Sequence, residues 1–313
     1  MSFEAFLKQT ALVLTEGSIY ERLRRHPSVA YDPYLAHGSL IYDASAARVL
    51  EQVHREYLDI GRRYGLPMIA LTDTWRANKE RIRRSRFNTC SVNQDNARFL
   101  CDIRAGYGPS HPPLFIGGLI ACRGDAYRPD EALSREEAAS FHAYQVRALA
   151  ETGIDFLMAA TLPASSEAHG MADAMAATDL PYILSFVLRP EGTLLDGTPF
   201  HQIIKNIDAS VARPPVGYLI NCVHPSIFRQ ALCVEERADT ASTKRILGLQ
   251  ANTSEKSPEE LDRMERLETE NPETFARLMG AVHDRFGVPI LGGCCGTDTR
   301  HIEALAGRYA TPA

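Results

Sequence analysis

The chain has 313 residues, of which 45% are hydrophobic and 23% are charged. These proportions are typical of a folded globular protein and exclude disordered and fibrous classes. The formal net charge is −5 and no basic patch is visible, so we expect no nucleic-acid partner. No apolar run reaches the ~18 residues that a membrane span needs, and the first residues lack the pattern of a secretory signal. We therefore expect a cytoplasmic protein without a membrane partner.

Along the chain, short apolar runs alternate with longer segments of helical periodicity. The apolar runs are Leu12–Leu14, Met68–Thr72, Phe115–Ile120, Phe156–Ala160, Tyr182–Phe186, Gly217–Asn221, Ile246–Ala251 and Val288–Leu291. Each run has the length of a strand and is nearly continuous in apolar residues. This pattern is typical of parallel strands that are covered on both faces.

Helices are predicted between these runs, most clearly over Ala46–Tyr64, Glu136–Glu151 and Phe275–Phe286. In the first segment, Val53, Tyr57 and Ile60 recur at steps of three and four residues, which makes one apolar stripe. Ser134 is a predicted N-cap of the second helix. Gly287 is a predicted stop signal of the third helix.

The alternation of strands and helices indicates βαβ units with right-handed crossovers. Eight such units predict an α/β protein that forms a closed (β/α)8 TIM-type barrel, with a single domain over residues 1–313. In barrels of this kind the active site lies at the carboxyl ends of the strands. Chemistry is therefore expected at the residues that directly follow each apolar run.

Seven cysteines in a chain without an export signal argue against a disulfide framework. Four of them are predicted to be small buried side chains, namely Cys90, Cys101, Cys122 and Cys233. The other three lie after strands: Cys222 follows the sixth run, and Cys294 and Cys295 follow the eighth. Barrel closure brings strand ends to one rim, so these three thiols can converge.

Three cysteines with an open fourth position are a known arrangement for Zn²⁺. Adjacent ligands need an unusual backbone turn, and Gly292, Gly293 and Gly296 are predicted to supply its conformations. Taken separately, a lone strand-end cysteine such as Cys222 is more often a core residue, and the adjacent pair is compatible with a redox dithiol or with a chance occurrence. The combination favours a metal site.

The segments Asn221-Cys222 and Gly292-Gly293-Cys294-Cys295-Gly296-Thr297 resemble the homocysteine S-methyltransferase family, whose zinc is held by three cysteines. The likeness extends over nearly the whole chain. Its weaker segments are Glu16-Gly17-Ser18, Thr72-Asp73-Thr74, Ala160-Thr161-Leu162-Pro163 with Glu167 and Ala168, Leu184-Ser185-Phe186, Asp196-Gly197-Thr198 and Gln250-Ala251-Asn252.

The resemblance implies Zn²⁺ bound by Cys222, Cys294 and Cys295. It also implies a substrate site, for which we assign Glu16, Gly17, Ser18, Thr72, Ser185 and Asn221. Asn221 and Thr297 are either donors to the sulfurs or parts of backbone turns. His224 is not expected to be a ligand, because three thiolates and a substrate already fill a tetrahedral shell.

Two positions depart from the family pattern. The acidic residue of the first strand is Glu16 where the family has Asp, and Ala160 stands where the family has Glu. In the family these two acids help to hold the amino group of homocysteine. Recognition of that group is therefore expected to be altered in this chain.

The function that the resemblance implies is zinc-dependent transfer of a methyl group from a donor to homocysteine, which yields methionine. No segment resembles the folate or cobalamin domains of large methionine synthases, and no extension like that of betaine-using relatives follows the last helix. S-methylmethionine or S-adenosylmethionine is therefore the expected donor. Two alternatives stay open: the same chemistry with another small thiol or selenol, and a non-catalytic zinc-holding or dithiol redox barrel.

Overall fold

Eight parallel strands form a closed barrel in chain order, each hydrogen-bonded to the next. The computed structural model of the chain describes residues 1–256, 260 and 269–310. The barrel closes where the last strand pairs with the first, with Val13 opposite Ile290 and Leu14 opposite Leu291. The predicted (β/α)8 barrel is thus confirmed; residues 257–259, 261–268 and 311–313 of the predicted domain lie outside the described residues.

The strands coincide with the eight predicted apolar runs, and their ends shift by one or two residues at most. They are β1 Val13–Thr15, β2 Met68–Leu71, β3 Leu114–Ala121, β4 Phe156–Leu162, β5 Tyr182–Phe186, β6 Gly217–Asn221, β7 Ile246–Ala251 and β8 Ile290–Gly293. Every residue of β5, β6 and β8 is buried, because helices cover the barrel outside and side chains fill it inside.

The helices that can be described are α1 Phe3–Leu7, α2 Ile19–Arg24, α3 Ala44–Tyr64, α4 Lys79–Arg84, α5 Val92–Ala105, α6 Arg135–Ala150, α7 Ser165–Ala176, α8 Phe200–Ser210, α9 Pro225–Ala238, α10 Thr240–Thr243, α11 Pro272–Phe286 and α12 Thr299–Gly307. Ser134 caps α6 in a full capping box with Glu137, as its sequence predicts. Gly287 ends α11 in the left-handed region at φ 65°. None of the described helices is long and apolar enough to cross a membrane.

Helix α1 closes the amino-terminal end of the barrel. The ring of Phe3 stacks on Phe156 at 4.0 Å between centroids, and Phe6 lies 4.7 Å from Phe115. Phe156 and Phe115 lie at the beginnings of β4 and β3, so the rings of Phe3 and Phe6 extend the barrel core beyond the amino-terminal ends of the strands. The opposite end, where the strands finish, is left for the functional site.

Helices α6 and α7 pack so closely that one glycine permits the contact. A Cβ on Gly170 of α7 would lie 2.2 Å from the carbonyl oxygen of Arg135 and 2.5 Å from the Cβ of Ala138. Gly153, in the turn after α6, has ordinary space instead, since its nearest neighbour would be the Cys101 sulfur at 3.8 Å.

We therefore expect Gly170→Ala to lower the free energy of unfolding by about 1–3 kcal/mol, because the two helices must move apart. The matched variant Gly153→Ala should change it by less than about 0.5 kcal/mol. Urea denaturation followed by circular dichroism measures both. Equal stability of the two variants would contradict this account of the packing.

Candidate active site

The three cysteines singled out in the sequence converge at the carboxyl ends of β6 and β8. Their sulfur atoms all lie within 4.8 Å of one another, and the Cys222 and Cys295 sulfurs are 3.6 Å apart. A tetrahedral ion with Zn–S bonds of about 2.3 Å places its sulfurs about 3.8 Å apart. The donor set and its spacing therefore fit a thiolate-bound metal with Cys222, Cys294 and Cys295 as ligands.

Backbone hydrogen bonds from β7 fix the positions of these cysteines. The Cys222 N–H donates to the carbonyl of Gln250 at 3.0 Å, and the Cys294 N–H donates to the carbonyl of Ala251 at 2.6 Å. Cys222 adopts the left-handed region at φ 59°, which a residue with a Cβ rarely adopts. The Asn252 side-chain amide donates to the Cys222 carbonyl at 3.0 Å and helps to hold that conformation.

The glycines around Cys294 and Cys295 have two different roles. Gly296 has φ 84°, so the predicted need for an unusual conformation is met there. Gly292 and Gly293 have no positive φ, and the expectation for them is wrong. They are needed for space, because a Cβ would lie 1.8 Å from the Thr15 hydroxyl at position 292 and 2.2 Å from the Thr297 hydroxyl at position 293.

Asn221 and Thr297 act on the backbone and on side chains around the thiols. The Asn221 Oδ1 accepts from the Thr161 N–H at 2.9 Å and from the Ser185 hydroxyl at 2.6 Å. The Thr297 hydroxyl donates to the Cys294 carbonyl at 2.6 Å. Within the described residues neither side chain hydrogen bonds to a sulfur, so the turn interpretation of both is the one that fits.

His224 lies two residues after Cys222 but belongs to the start of α9. Its Nδ1 accepts from the Ser226 N–H at 3.2 Å, and its Nε2 lies 3.3 Å from Glu270. The cluster of possible ligands found in the described part of the chain contains the three cysteines and not this histidine.

A tyrosine that sequence reasoning missed completes the thiol cluster. The hydroxyl of Tyr127 lies 3.0 Å from the Cys222 sulfur. Hydrogen bonds from the Cys294 and Cys295 thiols, and then from Tyr127, hold the pKa of Cys222 well below its usual range. The electrostatic effect of the neighbouring Cys222 sulfur, and then burial, raise the pKa of Tyr127. No sequence pattern marks a lone tyrosine in a loop for this role.

The loop that carries Tyr127 is anchored at both ends by one buried carboxylate. Glu167 of α7 accepts from the Arg123 N–H at 2.7 Å and from the Leu133 N–H at 3.3 Å. His142 of α6 lies 2.8 Å from the same carboxylate. The loop between β3 and α6 is therefore held over the barrel mouth, with Tyr127 directed at the thiols.

A cavity of about 420 Å³ opens above the thiols at the carboxyl ends of the strands. Of the residues predicted to bind substrate, the cavity is lined by Glu16, Gly17, Ser18, Thr72 and Asn221. Ser185 is fully buried behind Asn221 and is not among the lining residues described. It is connected to the cavity by its hydrogen bond to Asn221, which does line it. Ala160 lines the cavity and offers no charge there. Contact of these residues with a substrate stays a prediction.

The carboxylate of Glu16 is already engaged by two partners. Its Oε1 lies 2.6 Å from Nδ1 of His54, and its Oε2 accepts from the Leu71 N–H at 3.0 Å. The other ring nitrogen of His54 lies 3.0 Å from Asp73. His54 comes from α3 and is fully buried, so it bridges the carboxylates that follow β1 and β2.

The hydrogen bonds define the charges of this network. Ionised carboxylates only accept, so His54, between Glu16 and Asp73, carries a proton on both nitrogens. Burial alone would lower the pKa of His54, but Asp73 and Glu16 outweigh it and raise this pKa to about 10. His37 donates to Asp73 at 3.1 Å and accepts from the Trp75 indole N–H at 3.2 Å, and is therefore neutral. The carboxylates of Glu16 and Asp73 and the imidazolium of His54 together leave a net charge of −1 in this wall of the cavity.

Sequence reasoning missed His54 and His37 and treated Asp73 as part of a turn. One signal was present, because His54 lies four residues after Leu50 and four before Leu58, on the apolar face of α3. A histidine on such a face needs a buried partner, and two acidic residues at strand ends can provide one.

Comparisons with known proteins agree on one family. The model of the family described as homocysteine S-methyltransferase matches residues 13–309. The chain is 25% identical to homocysteine S-methyltransferase 2 of Arabidopsis thaliana, over 97% of this chain and 95% of that protein. It is 24% identical to a selenocysteine Se-methyltransferase of Brassica oleracea, over 99% of this chain and 92% of that protein. It is 28% identical to homocysteine S-methyltransferase of Escherichia coli, over 61% of this chain and 59% of that protein.

A solved structure gives the same fold. The metallated form of the homocysteine methyltransferase MmuM from Escherichia coli superposes with a TM-score of 0.74 at 20% identity, covering 97% of this chain and 98% of that one. At this identity the likeness concerns the fold. The family match over nearly the whole chain, on the barrel described above, leads to one conclusion: the chain belongs to the homocysteine S-methyltransferase family and is a methyltransferase.

Proposed function

We propose that the protein is a zinc-dependent S-methyltransferase that moves a methyl group from S-methylmethionine or S-adenosylmethionine to homocysteine, giving methionine. The observation that carries the proposal is the convergence of Cys222, Cys294 and Cys295 below a cavity of about 420 Å³. That volume is within the range of small-molecule sites. Membership of a methyltransferase family speaks against the non-catalytic and dithiol redox alternatives.

The choice of zinc rests on the donor set. Three thiolates with one open position suit Zn²⁺, whereas Mg²⁺ and Ca²⁺ prefer oxygen ligands. When bound by Cys222, Cys294 and Cys295, zinc would deprotonate an acceptor thiol. A free thiol has a pKa near ~8.5, so only a few per cent of it is thiolate at neutral pH.

The residues of the chain supply orientation and charge. The sulfur of the acceptor attacks the methyl carbon, the bond from that carbon to the donor sulfonium breaks, and the donor leaves as a neutral thioether. Asn221 is held rigid by Ser185 and Thr161 at the edge of this position. The wall around Glu16 and Asp73 has a net negative charge, which favours a sulfonium donor over a neutral one.

A second acceptor class is supported by Ala160, which lines the cavity and stands where the family resemblance implies a carboxylate for the ammonium group of homocysteine. The oxygens of Glu16 already bind His54 and the Leu71 N–H, so Glu16 cannot replace that carboxylate without sharing its partners. The relative named selenocysteine Se-methyltransferase supports a selenol as one such acceptor. The second candidate is therefore the same methyl transfer to another small thiol or selenol.

The metal assignment predicts the behaviour of cysteine variants. Cys222→Ala, Cys294→Ala and Cys295→Ala should each lose bound zinc and lower methyl transfer by more than about 100-fold, because a ligand is missing. Cys233→Ala, on α9 and away from the cluster, should keep about one zinc per chain. Mass spectrometry of metal content and a methyl-transfer assay with both donors measure this. Full zinc occupancy in Cys295→Ala would disprove the ligand set.

The alanine at position 160 predicts that the enzyme discriminates only weakly between acceptors with and without an amino group. In the natural protein, kcat/KM for homocysteine and for its des-amino analogue should differ by less than about tenfold, because no carboxylate is left unpaired by the analogue. Ala160→Glu should raise this ratio about tenfold or more, since a buried charged pair is gained. Ala160→Gln is the neutral control of similar size. A strong preference for homocysteine in the natural protein that Ala160→Glu does not increase would show that another group holds the amine.

A further inference from the structure

The cavity above the thiols is lined by four acidic residues and by a single residue of the lysine or arginine type, as far as the described residues show. The acidic residues are Glu16, Glu21, Asp73 and Asp125, and the basic residue is Arg76. A lone cation in a mainly acidic cavity marks the place where an anionic group can bind. Nothing in the thiol chemistry itself uses this cation.

The guanidinium group of Arg76 is held in place but keeps unused donors. Its Nη1 donates to the Gly124 carbonyl at 3.1 Å, and its carbon lies 4.3 Å from the centre of the Trp75 ring. A guanidinium has five N–H donors, so most of them stay available. Within the described chain Arg76 forms no ion pair, in contrast with Arg135, which binds Asp173 through two donors.

The ring below Arg76 is fixed by the buried charge network. Trp75 donates its indole N–H to His37, which donates to Asp73, which in turn contacts the charged His54. The position of the guanidinium is thus connected to the core of the barrel by side chains that are mostly buried. A group held in this way loses little freedom when it binds a ligand.

Two further arginines, Arg81 and Arg84, lie near Arg76, in a neighbouring pocket that also contains Glu80 and Glu131. Burial, and then the charges of Arg76 and Arg84, lower the pKa of Arg81. Arg81 donates to the Tyr34 carbonyl at 3.3 Å and forms no ion pair with a described carboxylate. Neither Arg76 nor Arg81 forms an ion pair within the described residues, so the donors of Arg76 are free to bind an anion at this edge of the cavity.

We propose that Arg76 binds the α-carboxylate of an amino-acid substrate at the barrel mouth and thereby determines specificity; this rests on the function proposed above. A guanidinium matches a carboxylate with two parallel N–H donors, which sets orientation as well as affinity. Homocysteine and both sulfonium donors carry an α-carboxylate, and among the described lysine and arginine residues Arg76 is the one that lines the cavity and can pair with that group. Either the acceptor or the donor can provide the carboxylate, and the two arms of the experiment distinguish them.

The test compares ligands with and without the carboxylate charge. Calorimetry measures the binding of L-homocysteine, which is the acceptor, and of S-methylmethionine, which is a donor, together with the amide of each. Arg76→Gln should weaken the binding of at least one of the two amino acids by about 10- to 100-fold and leave its amide unchanged. Arg76→Lys should restore part of the loss, because the charge returns without the second donor.

The matched control is Arg123→Gln, since Arg123 lies near the same edge but pairs with Glu80 at 3.5 Å and does not line the cavity. It should bind all four ligands as the natural protein does. If Arg76→Gln binds both amino acids normally, or loses acid and amide equally, the inference is wrong while the proposed function stands. If the natural protein binds neither amino acid and transfers no methyl group, both fail.

Discussion

The end of β7 is the constraint on which the thiol cluster depends. The carbonyl groups of its last two residues, Gln250 and Ala251, point to opposite sides, as those of adjacent residues in a strand must. The Gln250 carbonyl accepts from the Cys222 N–H after β6, and the Ala251 carbonyl accepts from the Cys294 N–H after β8. The backbones of β6 and β8 are thereby held two strand spacings apart, about 9–10 Å. The side chains of Cys222 and Cys294 turn inwards across that gap. Cysteines that are far apart in the sequence are thus brought together by the ordinary hydrogen bonding of parallel strands.

Buried charge places a second constraint on the same rim. The carboxylates that follow β1 and β2 are removed from water, and each would be costly without a partner. His54 reaches them from α3 and satisfies both, so a helix outside the barrel fixes the chemistry inside it. The wall is complete before any substrate enters, and a preformed electrostatic environment needs no reorganisation during reaction. Glu16 therefore has a structural role beside the binding role that the family pattern implies.

The fold could be predicted from the sequence because each strand is a continuous apolar run, and this signal needs no tertiary information. The three cysteines could be predicted for a related reason, since strand ends share one rim in any closed barrel. The contacts of Tyr127, His54 and His37 could not, because they depend on how a loop and a helix pack over that rim. The roles of Gly292 and Gly293 were misjudged in the same way, as their constraint is the space taken by threonines that are distant in the chain.

The anchoring of the β3–α6 loop has a consequence for how this barrel can diversify. Because Glu167 holds the N–H groups at both ends of the loop, residues 124–132 form an insert whose attachment points do not depend on what lies between them. Substitutions in this stretch other than at Tyr127, or changes in length that keep Tyr127 over the thiols, leave the strands and the backbone of the cysteines undisturbed. The loop over the cavity can therefore change while the cysteine cluster beneath it stays the same. Selection can adjust which molecules enter the cavity without changing the residues around the reacting sulfur.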